Sequence, residues 1–456
     1  MSQLLAGDRR MEAETYLSSG FGIRTAIESR KSGWTSFRDL AKVWMPGRLK
    51  GIQVSREYGT PFLAATQVYD VRPIPRKWLA LARTADSASR FVKPGTILVT
   101  CSGSVGRPAL AYAAHENTLI SHDLLRVEAI SERDKGWIYA YIHAPQVRAM
   151  TTSVKYGHII KHLETSHLDA LPLLTVDDAI AAGFNQRVSR ILKLRNEGHR
   201  LTLEAEERFE KAFGPLKITN WGEKGFSVKS SRAFLAGRRR FDASAHNPGV
   251  AAIRRHLAKN GQGFTTIDEA RYDVWLPKRF RRVPAVDGVW LLDSAGLTEV
   301  NPELSKRIAD GDFGDDYAGR VEAGWILMAR SGQTYGIIGT AILAGKDLEG
   351  HVISDHVMRI KPREDATIKP GYLVTAMSHP TLGRPVVKSL AYGSSIPEIE
   401  VADITDLEIV RLERIEEDAI ADLANASAQA RAEADVMERS ITQDASAIIE
   451  KFIAGP

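Results

Sequence analysis

Two stretches of the chain carry apolar residues at the spacing of one face of a long α-helix. The later stretch repeats a spacing of four, four and three residues, which is about 3.67 residues per turn and keeps the apolar stripe almost straight along the helix. A narrow stripe on a long helix needs a partner to cover it, and alanine in the stripe allows a close approach. The pattern therefore predicts two long helices, over 176–213 and 407–453, that pack on each other; the alternative is that each lies on its own domain. The later stripe comprises Ile415, Ala419, Leu423, Ala426, Ala430, Ala434, Met437, Ile441, Ala445, Ile448 and Phe452, and the earlier one Ile180, Phe184, Val188, Ile191, Leu194, Gly198, Leu201, Ala205, Phe209 and Ala212.

Short apolar or alternating runs precede each of these helices. Proline and glycine bound the runs, which is typical of β-strands joined by tight turns. More helical stretches follow, over 137–150 and from residue 372 onward. The mixture predicts an α+β fold class with a mixed β-sheet and helices in each half. The predicted strands are 61–65, 96–100 and 124–127 in the first half and 289–292, 325–329 and 357–360 in the second.

The two halves of the chain are copies of one plan. Residues 43–52 (VWMPGRLKGI) match 274–283 (VWLPKRFRRV), and 120–127 (ISHDLLRV) match 353–360 (ISDHVMRI). Across all the matches the offset stays between 229 and 236 residues, as expected when only loops change length. The repeat predicts two homologous domains, 1–175 and 214–406, each followed by one of the long helices, 176–213 and 407–453. Three further matches join 10–13 to 240–243, 95–103 to 324–332, and Tyr156-Gly157 to Tyr392-Gly393.

Composition places the chain among globular proteins with more than one domain. It has 456 residues, of which 44% are hydrophobic and 26% charged, so it is neither disordered nor fibrous. No apolar run approaches the roughly 20 residues of a membrane span, and the charged start of the chain lacks the apolar core of a signal peptide. The single cysteine, Cys101, excludes an internal disulfide and a multi-cysteine zinc site. These features predict a cytoplasmic protein.

The net charge of +5 hides a separation of charge along the chain. Residues 413–451 hold ten acidic and four basic residues, a net charge of −6, which leaves +11 for the remainder. Basic clusters such as 238–240, 254–255 and 278–282 contribute to that excess. Clusters of this kind favour a polyanion through neutralisation of phosphates and release of counterions, although solvated surface is an alternative for each cluster alone.

The order of elements, the repeat and several local motifs resemble the specificity subunit of type I DNA restriction-modification enzymes. The resemblance covers nearly the whole chain. It implies that each half is a target recognition domain followed by a conserved helix, and that the two helices pack antiparallel as a coiled-coil spacer. The motifs that carry it are Arg240-Phe241-Asp242-Ala243, Tyr392-Gly393-Ser394-Ser395-Ile396-Pro397 with Asp406-Leu407-Glu408-Ile409 beyond it, and Leu171-Pro172-Leu173-Leu174 with Asn185-Gln186-Arg187-Val188.

The resemblance also implies a function and a set of partners. The chain would be a non-catalytic subunit that reads a bipartite, asymmetric sequence in double-stranded DNA with its two recognition domains. It would recruit adenine methyltransferase subunits, two copies by the symmetry of the repeat, and through them a restriction translocase where one is present. The cofactor S-adenosylmethionine would lie on the methyltransferase, so no cofactor and no metal are expected on this chain.

Candidate DNA-binding residues lie on turns beside the predicted strands and on the basic segments. Arginine reads guanine, glutamine reads adenine, and hydroxyls hold phosphates. In the first half the candidates are Thr66, Gln67, Tyr69, Ser102, Ser104, Arg107, Lys155, Tyr156 and His158, and in the second Arg330, Gln333, Thr334, Tyr335, Tyr392, Ser394 and Ser395. The cations expected to contact the DNA backbone are Arg48, Lys50, Lys278, Arg279, Arg281 and Arg282.

No catalytic pattern stands out in the sequence. It contains neither a GxxxxGK[ST] phosphate loop nor the Asp/Asn-Pro-Pro-Tyr/Phe motif of an amino-methyltransferase. His122-Asp123 exchanges with Asp355-His356 in the other copy, which indicates a turn rather than a repeated metal ligand. Three alternatives stay open: a specificity-like subunit of another methylation-linked phage-defence system, a stand-alone nuclease or methyltransferase with an unrecognised site, and a scaffold that binds only proteins.

Overall fold

The computed structural model describes residues 16–48, 50–84, 86–154, 162–218, 221, 225–235, 240–310 and 320–455. The chain forms two compact units. Unit 1 contains residues 1–196 and 433–456, and unit 2 contains 197–432. The division falls within both long helices, so each unit includes a part of each helix. Both units combine helices with mixed β-sheets, which is an α+β fold.

Unit 1 is built on two four-stranded sheets and one strand pair. The first sheet has the antiparallel order β2-β9-β6-β7, and the second has the order β3-β5-β4-β8, in which β4 and β8 are parallel. The pair is β1 with β10. The strands are β1 Trp34–Ser36, β2 Ala41–Trp44, β3 Gln53–Val54, β4 Thr60–Leu63, β5 Lys77–Leu79, β6 Ile97–Thr100, β7 Pro108–Leu110, β8 Leu119–Ile120, β9 Leu124–Ala129 and β10 Pro172–Leu174. The helices are α1 Ser19–Glu28, α2 Phe37–Leu40, α3 Ser87–Arg90, α4 Lys135–His143, α5 Pro145–Val154, α6 Thr165–Asp169 and the long helix α7 Asp178–Phe213, whose second part belongs to unit 2.

Unit 2 repeats this arrangement. Its sheets have the orders β12-β18-β15-β16 and β14-β13-β17, with β13 and β17 parallel, and its strand pair is β11 with β19. The strands are β11 Phe264–Thr266, β12 Tyr272–Trp275, β13 Pro284–Leu292, β14 Arg307–Ile308, β15 Ile326–Ala329, β16 Ala341–Leu343, β17 Val352–Ile353, β18 Val357–Pro362 and β19 Glu408–Val410. The helices are α8 Ser230–Leu235, α9 Pro248–Asn260, α10 Pro370–Ser378, α11 Arg384–Ser389, α12 Val401–Thr405 and the long helix α13 Arg414–Ala454, whose last part belongs to unit 1.

A buried arginine at the same place in each unit supports the internal repeat. Arg126 in β9 and Arg359 in β18 are fully buried, and the guanidinium of each donates hydrogen bonds to backbone carbonyls at the start of its strand and in the turn before it. The acceptors include Ser121 at 3.0 Å in unit 1 and Ser354 at 2.8 Å in unit 2. Burial lowers the pKa of Arg126 to about 10, and the nearby Arg90 acts in the same direction. Because both arginines satisfy equivalent carbonyls, the repeat extends to buried polar contacts.

The predicted elements overlap the observed ones, but β13 begins at Pro284, five residues before the strand expected at 289–292, and three further elements also differ. The strand expected at 61–65 ends at Leu63, and residues 65–69 form a 3-10 turn. The helix expected over 137–150 is two helices, since Ala144 between them is extended. The last helix begins at residue 414 and not at 407, because residues 408–410 pair with β11 and bury Ile409 and Val410.

The two long helices contact each other inside each unit. In unit 1, Arg187 of α7 bonds to Asp444 of α13, and Arg190 lies 2.9 Å from Glu433. In unit 2, the side-chain oxygens of Thr202 and Ser427 are 2.7 Å apart, and Arg208 lies 2.8 Å from Glu416. Within each unit residue numbers rise along one helix as they fall along the other, so the contacting segments are antiparallel.

The apolar stripe of the later helix is displaced from its predicted positions near the start. Ile415 is 80% exposed and Ala426 is also exposed, whereas Ile420, Ala421 and Ala428 are buried. The reason is that this part of α13 packs on the body of unit 2 as well as on α7, so the buried face is wider than one stripe. The ends of the earlier stripe shift by one residue, since Ala181 and Phe213 are buried in place of Ile180 and Ala212.

A short helix in each unit approaches its long helix through a glycine. A Cβ on Gly136 of α4 would lie 2.5 Å from the backbone nitrogen of Asn185, and a Cβ on Gly371 of α10 would lie 2.3 Å from the carbonyl oxygen of Ala421. Neither distance leaves room for a methyl group. The residue after each glycine bonds to the strand pair of its unit. Trp137 Nε1 donates to the Leu174 carbonyl in β10 at 2.7 Å, and the Tyr372 hydroxyl donates to the Val410 carbonyl in β19 at 2.7 Å.

A charged cluster is buried between the helices of unit 1. The Arg195 guanidinium bonds to both Asp435 and Glu438, and the Tyr139 hydroxyl donates to Glu438. Burial alone would raise the pKa of the Glu438 carboxyl, but Arg195 and its hydrogen bonds hold it below its ordinary value. His143 Nε2 lies 3.6 Å from Glu438 and has no hydrogen-bond partner among the described residues. Burial lowers the pKa of His143 to about 4, so this imidazole is neutral at pH 7.

In the part of the chain that the structure describes, no helix combines the length and apolar content needed to cross a lipid bilayer.

Replacing Gly136 by alanine is expected to destabilise unit 1, because the added methyl group must displace the backbone of α7. We expect a loss of roughly 3 kcal/mol, typical of overpacking against a rigid neighbour, measured by denaturant unfolding. Gly183→Ala is the matched control on α7. Its Cβ meets nothing within 4 Å, so it should stabilise by about 0.5–1 kcal/mol through helix propensity. Equal effects of the two substitutions would contradict the close approach.

Acid should destabilise unit 1 through His143. Its pKa is lower in the folded protein (about 4) than its ordinary value of 6.5, so the unfolded chain binds the proton first and stability falls as the pH drops below 6.5. Between pH 7 and pH 5 this residue should contribute a loss of about 2 kcal/mol. Denaturant unfolding of the wild type and of His143→Gln at both pH values isolates the contribution of His143 to the free energy of unfolding, since the other groups are present in both proteins. A parallel fall in stability for the two proteins would refute the assignment.

Candidate nucleic-acid interface

In unit 2 the structure brings together the two segments that sequence analysis marked for DNA contact. The turn after β15, residues 330–336, lies against residues 392–398. The backbone N–H of Gly332 donates to the Pro397 carbonyl at 3.2 Å, and Gln333 Nε2 donates to the Ser395 carbonyl at 3.0 Å. Single β-bridges join Ser331 to Glu398 and Tyr392 to Glu398. The predicted base-reading residues of the second half therefore form one surface, which we call the reading surface.

Most side chains of the reading surface face solvent. Thr334, Tyr335, Tyr392, Ser394 and Ser395 are exposed. They supply two phenol rings and several hydroxyls, groups that stack on bases or bond to phosphate and base edges. A rigid turn that presents such groups can bind DNA without moving.

Arg330 differs from its predicted role. It is partly buried, and its guanidinium pairs with Glu398 at 2.7 Å and Glu400 at 3.3 Å. Both ion pairs fall on Nη2, while the buried Nε has no hydrogen-bond partner among the described residues. A bidentate bond to guanine would therefore compete with an internal ion pair. We therefore assign Arg330 to holding the turn on the 392–398 segment rather than to reading a base.

Two cations that the sequence analysis missed hold the reading surface in place. Lys388 Nζ donates to the carbonyls of Thr334 at 2.6 Å and Gly336 at 3.0 Å. Arg384 Nη2 donates to the Gly336 carbonyl at 3.4 Å. In unit 1 Arg148 Nη2 donates to the Ser104 carbonyl at 3.3 Å. Arg148 and Arg384 are 236 residues apart, the same offset as Tyr156 and Tyr392, so the repeat contained a signal for them.

The predicted residues of unit 1 divide into exposed and buried groups. Thr66 and Ser104 are exposed and Ser102 is partly buried. Gln67 is buried, and its amide accepts from the Ala64 N–H and donates to the Ile74 carbonyl. Lys155, Tyr156 and His158 lie outside the described residues.

Tyr69 and Arg107 are also buried and bond to each other. The Tyr69 hydroxyl donates to the Arg107 carbonyl at 2.8 Å, and the guanidinium lies 3.9 Å from the centre of the tyrosine ring. The DNA contacts predicted for Gln67, Tyr69 and Arg107 are corrected on this basis. These side chains are buried beneath the turns that they bond to. The sequence pattern does not distinguish them from exposed polar residues.

The basic segments are exposed and largely without internal partners. Arg48 and Lys50 in unit 1 and Lys278, Arg279 and Arg281 in unit 2 are exposed, and none forms an ion pair with any residue that the structure describes. Unpaired cations of this kind are available to phosphates.

Arg282 links its basic segment to the reading surface. It lies 2.5 Å from Asp355, and the next residue, His356, accepts a hydrogen bond from the backbone of Arg330 at 3.1 Å. The basic segment and the reading surface therefore share one edge of unit 2. Asp355 partly neutralises Arg282, unlike its neighbours Lys278, Arg279 and Arg281.

Arg240, in one of the motifs behind the family resemblance, has a structural role. Its guanidinium lies 2.6 Å from Asp242 and donates to the carbonyls of residues 389–391, directly before Tyr392. Burial would raise the pKa of Asp242, but bonds from Arg240 and Ser244 hold it at about 2. This pair therefore anchors one end of the reading surface.

The histidine–aspartate pairs of the repeat form turns, as expected. His122 Nε2 lies 3.6 Å from Asp123, and Asp123 also accepts from the Ser121 hydroxyl at 3.1 Å. Within the described ranges no three histidine, cysteine or acidic side chains group as metal ligands.

Comparison with known proteins finds likeness in structure only. No protein-family model matches the chain, and no curated protein sequence matches it. The structural neighbours include the S subunit of a type I restriction-modification system from M. genitalium (12% identity, TM-score 0.33, covering 93% of this chain and 96% of that one). The HsdS subunit from Thermoanaerobacter tengcongensis is a second (12% identity, TM-score 0.26, covering 93% and 97%). The type IIG restriction endonuclease BpuSI matches over 41% of this chain and 30% of its own (11% identity, TM-score 0.29).

Loss of the Lys388 amine should loosen the reading surface without unfolding unit 2. Lys388→Met leaves two carbonyls of the turn without their donor, so we expect backbone amides of residues 333–336 to exchange hydrogen roughly tenfold faster, equivalent to about 1.4 kcal/mol. Lys388→Arg should restore much of the protection. Lys346→Met, which removes an equally charged but exposed amine, is the control. Unchanged exchange in Lys388→Met would show that the lysine does not hold the turn.

Proposed function

We propose that this chain is the DNA-recognition subunit of a type I restriction-modification complex and reads a bipartite, asymmetric target. The observation that carries the proposal is the duplication of one sheet arrangement, with an exposed cationic segment beside the sheets of each copy. A duplicated reader on one chain suits two half-sites, as a dimeric DNA-binding protein does. Because the exposed side chains differ between the copies, the half-sites should differ.

The reading surface of unit 2 supports direct base readout. Tyr335 and Tyr392 offer rings, and Thr334, Ser394 and Ser395 offer hydroxyls, on a turn fixed by Lys388 and Arg330. The unpaired cations Lys278, Arg279 and Arg281 supply sequence-independent contacts to phosphates. The corresponding groups in unit 1 are Thr66, Ser102 and Ser104, with Arg48 and Lys50 as backbone contacts.

The long helices suit the role of a spacer in this proposal. Their antiparallel contacts inside each unit agree with a coiled-coil pair, and two helices resist bending better than a loop would. Such a spacer fixes the distance between half-sites, because one base pair changes the helical phase of DNA by about 34°.

The sequence has neither a nucleotide-phosphate loop nor an amino-methyltransferase motif, so we expect partner subunits to supply that chemistry. We propose that this chain recruits two adenine methyltransferase subunits that carry S-adenosylmethionine, with a restriction translocase joining through them. Residues 413–451 carry a net charge of −6, which disfavours contact with phosphate, although Glu416, Glu433 and Asp444 already pair with arginines of α7.

Two other functions give different results in the same experiment. A specificity-like subunit of another methylation-linked defence system would keep the bipartite target but have different neighbouring genes. A stand-alone nuclease or methyltransferase would act on DNA without partners when supplied with Mg²⁺ or S-adenosylmethionine.

The test is to co-express the chain with the methyltransferase encoded beside it and to map methylated adenines in the host genome. We expect one bipartite motif with a fixed spacer. Inserting one matched eleven-residue segment into both long helices keeps the phase of the stripe and lengthens the pair by about 16 Å, so the preferred spacer should change in length while both half-sites stay the same. Methylation with no bipartite motif would refute the proposed function, and an unchanged spacer would refute the role of the helices.

A further inference from the structure

Each unit carries a short loop of the same design beside its basic segment. In unit 1 strands β3 and β4 pair with opposite sides of β5, so residues 55–59 cross that strand. In unit 2 Pro284 and Val289 both pair with Ile308, so residues 285–288 cross β14. We call these segments the crossing loops.

The crossing loops are held close to the strands below them. A Cβ on Gly59 would lie 2.5 Å from the Trp78 side chain, and a Cβ on Gly288 would lie 2.1 Å from the Ile308 carbonyl oxygen. The chain before each loop is fixed in the same way, since the Ile52 carbonyl accepts from Ala80 at 3.0 Å and the Val283 carbonyl accepts from Ala309 at 2.8 Å. Both ends of each loop are therefore held against the sheet.

Each loop exposes large apolar side chains where burial would be expected. Tyr58 is 82% exposed and Val286 is 87% exposed, and the repeated residues Ile52 and Val283 just before the loops are also exposed. Exposing apolar surface in this way has no benefit for folding. Two such side chains form too small a patch for a stable protein interface.

Cations lie close in sequence to the apolar tips in both units, and each tip also has an exposed carboxylate next to its apolar residue, Glu57 in unit 1 and Asp287 in unit 2. Arg48 and Lys50 precede Ile52, and Arg279 and Arg281 precede Val283; all four are exposed and unpaired among the described residues. An arginine stacks on a tryptophan in each sheet, Arg56 on Trp78 at 6.0 Å and Arg307 on Trp290 at 4.1 Å. Arg307 also donates to the Val286 carbonyl at 3.1 Å, which ties it to the tip.

An apolar tip between cations matches the chemistry of a DNA groove. Phosphates line both edges of a groove, and the floor and walls offer base edges, sugars and thymine methyl groups to apolar side chains. We infer that the crossing loops are a second DNA-contacting element of each unit, in which Tyr58 and Val286 enter a groove while the flanking arginines and lysines contact phosphates. This inference rests on the proposed function and adds contacts separate from the reading surface.

The experiment uses the complex of the full chain with its methyltransferase and a fluorescent duplex that carries the mapped target. Tyr58→Ser and Val286→Ser should each weaken binding about tenfold, as expected for loss of one base contact, with the same salt dependence as the wild type. Arg279→Gln should weaken binding and lower the salt slope by about one, because one phosphate contact is lost. Ile130→Ser, which replaces an apolar residue that is 65% exposed and far in sequence from the loops, is the matched control and should bind like the wild type.

Three results would overturn the inference. Wild-type affinity of both Tyr58→Ser and Val286→Ser, with unchanged thermal unfolding, would show that the tips do not touch DNA. Loss of the methyltransferase from either purified variant would show that the tips bind protein instead. A loss of affinity in the Ile130 control equal to that of the tip variants would show a general effect. If the wild-type complex shows no preferred target, the proposed function fails. The same variants are then compared on a duplex of arbitrary sequence, and a tenfold loss of affinity there still supports the tips as DNA contacts.

Discussion

The packing of one glycine in each unit on the backbone of a long helix constrains the position of everything else in that unit. At Gly136 and Gly371 the short helix comes so near the long helix that no side chain fits between them. The strand pair β1-β10 or β11-β19 lies next to this contact and is tied to it by Trp137 or Tyr372. The sheets that carry the exposed turns are built on the same short helices, so the turns inherit a fixed position relative to the long helix of their own unit.

The charged contacts of the helices differ between the units although the apolar plan is shared. Arg195 is buried with Asp435 and Glu438 in unit 1, whereas Arg431, its counterpart at an offset of 236 residues, donates to the Leu343 carbonyl at 2.7 Å. A buried ion cluster adds little net stability but penalises any other pairing that would leave one charge alone. The cluster therefore helps to specify which residues of α7 and α13 meet in unit 1.

Sequence patterns predicted the parts of the molecule that depend on periodicity and repetition. The repeat located equivalent strands, and the stripe of α7 matched its buried face from Phe184 to Phe209. The pattern failed where one segment packs on two partners, as at Ile415 and Ala426. Burial there depends on the body of unit 2 as well as on α7. The pattern also failed for polar residues, since no periodicity distinguishes the buried Gln67 and Arg107 from the exposed Thr66 and Ser104. Lys388 and the crossing loops escaped detection because their roles come from contacts between distant parts of the chain.

The division of both long helices between the units has a consequence for synthesis on the ribosome. Unit 2 is a continuous segment, 197–432, but unit 1 needs residues 433–456, which emerge last. At about 5–20 residues per second, Arg195, Tyr139 and His143 wait on the order of tens of seconds for Glu438 to appear. Unit 1 is thus translated first but can finish folding only after unit 2. Until residues 433–456 leave the exit tunnel, the face of α7 that they cover must avoid other apolar surfaces.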